Sequence, residues 1–128
     1  MNIKEEIAKE FKEGEIRKIN FEGAKIIIYV KNKDLFINGI EIGKNLAQKY
    51  KKRVEIRVDP KLLESDEEIK EKAKKILEGI KIKDIYLERH RSVLFIETYE
   101  PEKIDINLIN KLREETLCSI YIQRAQLK

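Results

Sequence analysis

The stretch EIRKINFEGAKIIIYV, residues 15–30, and its counterpart IKDIYLERHRSVLFIET, residues 82–98, decide the fold. In the first, Ile16, Ile19 and Phe21 alternate loosely with Arg17, Lys18 and Asn20, Glu22-Gly23 signals a turn, and Ile26 to Val30 is an unbroken apolar run. β-Branched and aromatic residues in that pattern predict a hairpin ending in a buried strand. The second stretch predicts strands near Ile82 to Leu87 and Val93 to Thr98 around the turn Arg89-His90-Arg91-Ser92.

Working outward, Ile3, Ile7 and Phe11 recur at i, i+4 and i+8, one apolar stripe on a charged helix that Gly14 ends as a C-terminal cap. After the first hairpin, Ile42, Leu46 and Tyr50 mark a second helix. Val54, Ile56 and Val58, alternating with Arg53, Glu55 and Arg57, mark a third strand. Beyond Asp59-Pro60 the order returns: a helix with Ile69, Ala73, Ile76 and Leu77, the second hairpin, a helix with Leu108 and Leu112, and a strand through Ile120 and Ile122.

Phe21 falls on Leu87, 66 residues later, and the same shift carries Ile3 onto Ile69, Ile16 onto Ile82, Ile19 onto Ile85, Ile27 onto Val93, Leu46 onto Leu112 and Ile56 onto Ile122. Coincidence of so many apolar positions under one ungapped shift reads as duplication. The expected architecture is α+β: two tandem αββαβ units, residues 1–60 and 61–128, each a small three-stranded sheet packed on helices. The joint is residues 59–66, where Ser65-Asp66 starts a helix.

The chain has 128 residues, 41% hydrophobic and 41% charged, with 5 Gly and 2 Pro, the composition of a folded protein with a heavily ionised surface. Its Lys, Glu and Ile bias resembles that of thermophile proteins. Net charge is +4, from 28 basic and 24 acidic residues interleaved along the chain, an excess that favours an anionic partner. The single Cys118 supports neither an internal disulfide nor a zinc site and suits a reducing, cytoplasmic setting. No segment is apolar enough to span a membrane or act as a secretion signal.

Catalytic chemistry is poorly represented. His90 is the only histidine and sits in a turn, Cys118 reads as a packing residue, and the acidic run Glu64 to Glu68 sits where negative charge favours a helix start. No cofactor is expected, and the chain is read as non-enzymatic. The electrostatic feature that stands out is Lys49 to Arg53 with Arg57, where Arg53 and Arg57 share one face of a strand. Arg113, Arg124 and Lys128 form a second concentration. Both suit phosphate contact, which gives affinity with little sequence choice.

The order of elements, with residues 15–23, 26–29, 52–60, 84–86 and 112–116, resembles tandem type II KH domains. More closely it resembles the N-terminal KH region of archaeal cleavage and polyadenylation specificity factor-like proteins, metallo-β-lactamase/β-CASP ribonucleases. The resemblance implies nucleic-acid binding, helped by a GxxG loop that lets phosphates approach the backbone. Here the loop falls on Ile40 to Gly43 in the first unit, where only Gly43 matches, and on Ile106 to Ile109 in the second, where GxxG is absent. The implied RNA-binding residues are Gly43, Lys44, Lys51, Lys52, Arg53 and Arg57. The implied role is an accessory module of an RNA-processing system, its partners single-stranded RNA, an RNA-processing nuclease or a second copy of itself. The alternative is a degenerate KH-like protein-interaction or dimerisation module that binds no nucleic acid.

Overall fold

Asn2 opens the first helix, its side chain accepting the Glu5 N–H, and α1 (Ile3–Ala8) buries Ile7. The computed structural model describes residues 2–126. The helix stops six residues short of Gly14, because residues 9–15 fold into turns in which the Glu15 carboxylate takes the Lys12 N–H at 2.6 Å. β1 (Ile16–Glu22) and β2 (Lys25–Val30) then form the hairpin, with Gly23 at φ +60 in its tight turn.

Between β2 and the helix foreseen from Ile42, Leu46 and Tyr50 lies an extra helix, α2 (Lys33–Ile37), capped by Asn32 and burying Phe36. α3 (Gly39–Tyr50) follows after one residue, and β3 (Val54–Val58) runs parallel to β2. The sheet order is β1-β2-β3. Ile26, Ile28 and Val30 of β2 and Ile56 and Val58 of β3 alternate onto one face beneath the helices.

The second unit repeats the plan with α4 (Asp66–Ile76), β4 (Ile82–Glu88), β5 (Val93–Thr98), α5 (Ile106–Thr116) and β6 (Ser119–Arg124), in sheet order β4-β5-β6. Ser65 caps α4 and Asp105 caps α5. Its core gathers Ile69, Ala73, Leu77, Ile85, Leu94, Ile96, Leu112 and Cys118. The protein is thus α+β, with two three-stranded mixed sheets packed on helices. The compact units are Met1–Leu62 and Leu63–Lys128. No described helix is long and apolar enough to cross a membrane.

The ungapped alignment needs one correction. Ile19 pairs with Ile28 and Ile85 with Ile96, so the outer strands keep the 66-residue shift while the central strands are related by 68. The second hairpin turn, a 3-10 turn at Arg89–Arg91, is two residues longer. The connection after β5 is shorter by as much: a 3-10 turn, Pro101–Lys103, stands in place of α2. Ile27 therefore corresponds to Phe95, not Val93.

Candidate nucleic-acid interface

The residues singled out for phosphate contact sit on α3, the turn after it, and β3. Residues 40–43 are not a loop: they form the first turns of α3, and the helix-to-helix junction is Asn38. Gly43 is buried, and a Cβ there would lie 3.1 Å from the Val54 carbonyl oxygen. A Cβ on Gly39 would lie 2.9 Å from the Ile56 Cβ. These glycines let α3 approach β3, so Gly43 serves helix–strand packing rather than a backbone cradle for phosphate. In the second unit the corresponding α5 start is occupied by the Asp105 carboxylate, which accepts the Leu108 N–H at 2.9 Å and puts an anion where a phosphate would sit.

Lys44 projects outward from the middle of α3 and is exposed. Lys51, Lys52 and Arg53 follow the helix C-terminus, with Lys51 in the left-handed conformation at φ 57. The negative end of the helix dipole favours cations there. All four are exposed, and none of their side chains makes an ion pair or a hydrogen bond with another described residue. Seven residues separate Lys44 from Lys51, roughly 10 Å along a helix axis, so the turn is the denser cluster. Lys49 stands apart from it, bonded to the Glu10 carboxylate at 2.5 Å, as is the Tyr50 hydroxyl at 2.6 Å. Those two hydrogen bonds hold Glu10 below its ordinary carboxylate pKa.

Arg57 departs from the sequence expectation. Arg53 precedes the strand, whereas Arg57 lies within β3 and its side chain is 0% exposed. Its guanidinium is clasped by Glu22 through two bonds, 2.5 and 2.9 Å, and by Glu55 at 2.6 Å, and it donates to the Tyr29 hydroxyl at 3.3 Å. Burial works against its charge, yet the bonds to Glu22 and Glu55 outweigh that and raise its pKa. Arg57 is therefore a cross-strand clamp, placed by the pairing of Tyr29 with Arg57, and is closed to phosphate.

The C-terminal concentration is not assembled either. Arg113 is buried, Arg124 pairs with Glu102 at 3.3 Å, and Lys128 lies outside the described residues. His90 is exposed in its turn, and burial pushes the Cys118 thiol up to about 12. The acidic run is held by structure: Ser65 caps α4, Asp66 bonds Arg89 at 2.8 Å and Glu64 pairs with Lys72. One feature had no sequence signal. Ile40 and Ile106, 66 residues apart, stand 43% and 60% exposed at the starts of α3 and α5.

Residues 1–63 match the family described as the KH domain of transcription termination factor FttA. The first unit matches the FttA KH family. FttA of Methanocaldococcus jannaschii is 37% identical over 102 residues, which is 78% of this chain and 16% of the relative. That alignment is longer than either unit, so the similarity to FttA runs into both. FttA of Methanococcus maripaludis is 33% identical over 87 residues, 67% of this chain and 13% of the relative. FttA of Pyrococcus horikoshii is 44% identical over 57 residues, 44% of this chain and 9% of the relative. The chain thus spans a sixth or less of the length of these relatives.

Proposed function

We propose that this protein is a non-catalytic RNA-binding module that serves transcription termination or RNA processing, as the KH portion of an FttA-like system. The reading rests on one observation: an FttA KH match over the unit in which Lys44, Lys51, Lys52 and Arg53, exposed and without a side-chain partner among the described residues, lie on α3 and the turn after it. Phosphates of single-stranded RNA would contact the Lys51 to Arg53 turn, with Lys44 extending the track along α3. Gly43 and Arg57 act from beneath, holding helix to strand and strand to strand. The cutting or terminating chemistry belongs to a partner, a β-CASP-type nuclease being the candidate, and the setting is the archaeal cytoplasm.

Four phosphate contacts on a single strand give a salt slope near −2.8, or a loss of about 50-fold in affinity between 50 and 200 mM salt. Fluorescence anisotropy of labelled single-stranded RNA at those two salt concentrations tests this. The triple reversal K51E/K52E/R53E is expected to weaken binding at least tenfold with the unfolding midpoint unchanged. No binding by the unmodified protein at 50 mM salt refutes the proposal. The exposed Ile40 and Ile106 favour a second reading, a self-associating or protein-binding module. Its signature is a concentration-dependent dimer in sedimentation together with no affinity for RNA.

A further inference from the structure

Each unit contains a groove of the same construction between its first helix and its first strand, which lies at the edge of its own sheet. In the first unit the groove is about 370 Å³, with Lys4, Ala8, Ile16 and Ile19 along it. In the second it is about 540 Å³, with Lys70, Lys74, Ile82 and Ile85 in the same places. The 66-residue shift carries Lys4 onto Lys70, Ile16 onto Ile82 and Ile19 onto Ile85, and replaces Ala8 by Lys74. Isoleucines of the first strand line both grooves, and the second carries a cation where the first has Ala8.

The side chains of Lys70 and Lys74 make no ion pair and no hydrogen bond with another described residue, although α4 belongs to a chain in which 24 residues are acidic. They stand at i and i+4 on one helix face, where like charges repel. Two lysines on one helix face, lining a groove with Ile82, fit a ligand that carries both anionic groups and a flat apolar surface. The acidic residues on the rim are Glu78 and Asp84, and Asp84 is engaged with the Ile85 N–H at 2.9 Å. Lys83, the third cation of the rim, lies 3.7 Å from Glu97.

An acidic peptide added as a strand would need a regular edge. β4 instead carries a register shift between Ile82 and Asp84, inside the groove, and bulges of this kind interrupt edge pairing. A single nucleic-acid strand needs no such ladder: phosphates meet lysines and a base lies on the floor.

We propose that the α4–β4 groove is a second contact for single-stranded RNA, distinct from the Lys51 to Arg53 turn, with Lys70 and Lys74 on phosphates and the half-buried Ile82 beneath a base. The inference rests on the reading that the chain binds RNA, and it assigns a role to a unit that lacks GxxG.

The test is anisotropy of fluorescein-labelled oligouridylate with the full chain at 50 and 200 mM salt, comparing K70E/K74E with the charge-matched pair K75E/K111E. Lys75 and Lys111 are exposed on the same unit but outside the groove. K70E/K74E is expected to lose about tenfold in affinity and to flatten the salt slope by about 1.4, two single-strand contacts. The control pair should stay within twofold, and circular dichroism should not change for either. Equal losses from both pairs overturn the groove, as does binding of a labelled oligoglutamate in preference to RNA. Wild-type binding that K70E/K74E leaves intact overturns the groove alone, whereas no wild-type binding overturns the RNA-binding reading and the groove with it.

Discussion

Replacing Gly39 or Gly43 by alanine separates a packing glycine from a ligand-contacting one. In an exposed helix interior, alanine for glycine stabilises by about 1 kcal/mol, because the glycine chain loses more backbone freedom on folding. At Gly39 the new Cβ would lie 2.9 Å from the Ile56 Cβ and 3.1 Å from its Cγ2. Ile56 is 3% exposed, and its Cβ is fixed by the β3 backbone, so no side-chain rotation relieves the contact. Overpacking of this kind costs about 1–3 kcal/mol, which set against the helix gain leaves G39A less stable by up to about 2 kcal/mol. At Gly43 the obstacle is the Val54 carbonyl oxygen at 3.1 Å, and a helix shift of a few tenths of an ångström relieves it. The cost and the helix gain then nearly cancel, for a net loss of up to about 1 kcal/mol.

Urea unfolding followed by circular dichroism measures both variants. A loss of 1 kcal/mol also appears as about 4–8 °C in Tm for a domain of 60–100 residues. The double variant should fall short of the sum, since both glycines relieve the same α3–β3 contact. G39A more stable than the parent, by the helix gain of about 1 kcal/mol, refutes the close-approach argument. For G43A, RNA affinity is expected within twofold of the parent, and a large loss with the fold intact would return Gly43 to the phosphate site.

Two further outcomes follow from burial. Replacing Arg57 by methionine takes the guanidinium away from Glu22 and from Glu55, of which Glu55 keeps its Lys25 partner at 2.8 Å, and is expected to cost about 3 kcal/mol in urea unfolding, with part of the loss recovered by adding Glu22→Gln; a neutral R57M would mean that the clamp is not formed. Cys118, fully buried with its thiol pKa pushed up to about 12, should react with a disulfide reagent at pH 8 only through unfolding, so rapid labelling of the native protein would contradict its place in the core.

Much of the fold was legible because side-chain periodicity is local. The alternation around Ile16 to Val30 and Ile82 to Thr98 gave both hairpins, and Ser65 and Asp66 gave the start of α4. The helix α2 was missed because five residues span too little of a helical period to show a stripe. The candidate site was legible in part. The spacing of Lys51 to Arg53 located an exposed basic turn, but Arg57, within β3, proved to be an internal clamp. Exposure differs between Arg53 and Arg57 because cross-strand pairing brings Tyr29 and Glu22 to one of them and not to the other.

By itself the sequence determined the class of architecture, two three-stranded sheets on helices, since apolar residues at period two or near 3.6 commit a segment to one element with one face inward. It could not determine the two-residue offset between the central strands. An even insertion returns every side chain to the same face of the sheet, so Ile27 over Val93 and Ile27 over Phe95 look alike in pattern. Nor could it tell a glycine that admits a ligand from one that admits a neighbouring strand, or a solvated arginine from a clasped one. Those are settled by what lies across the sheet or beneath the helix, contacts made by residues far away in the chain.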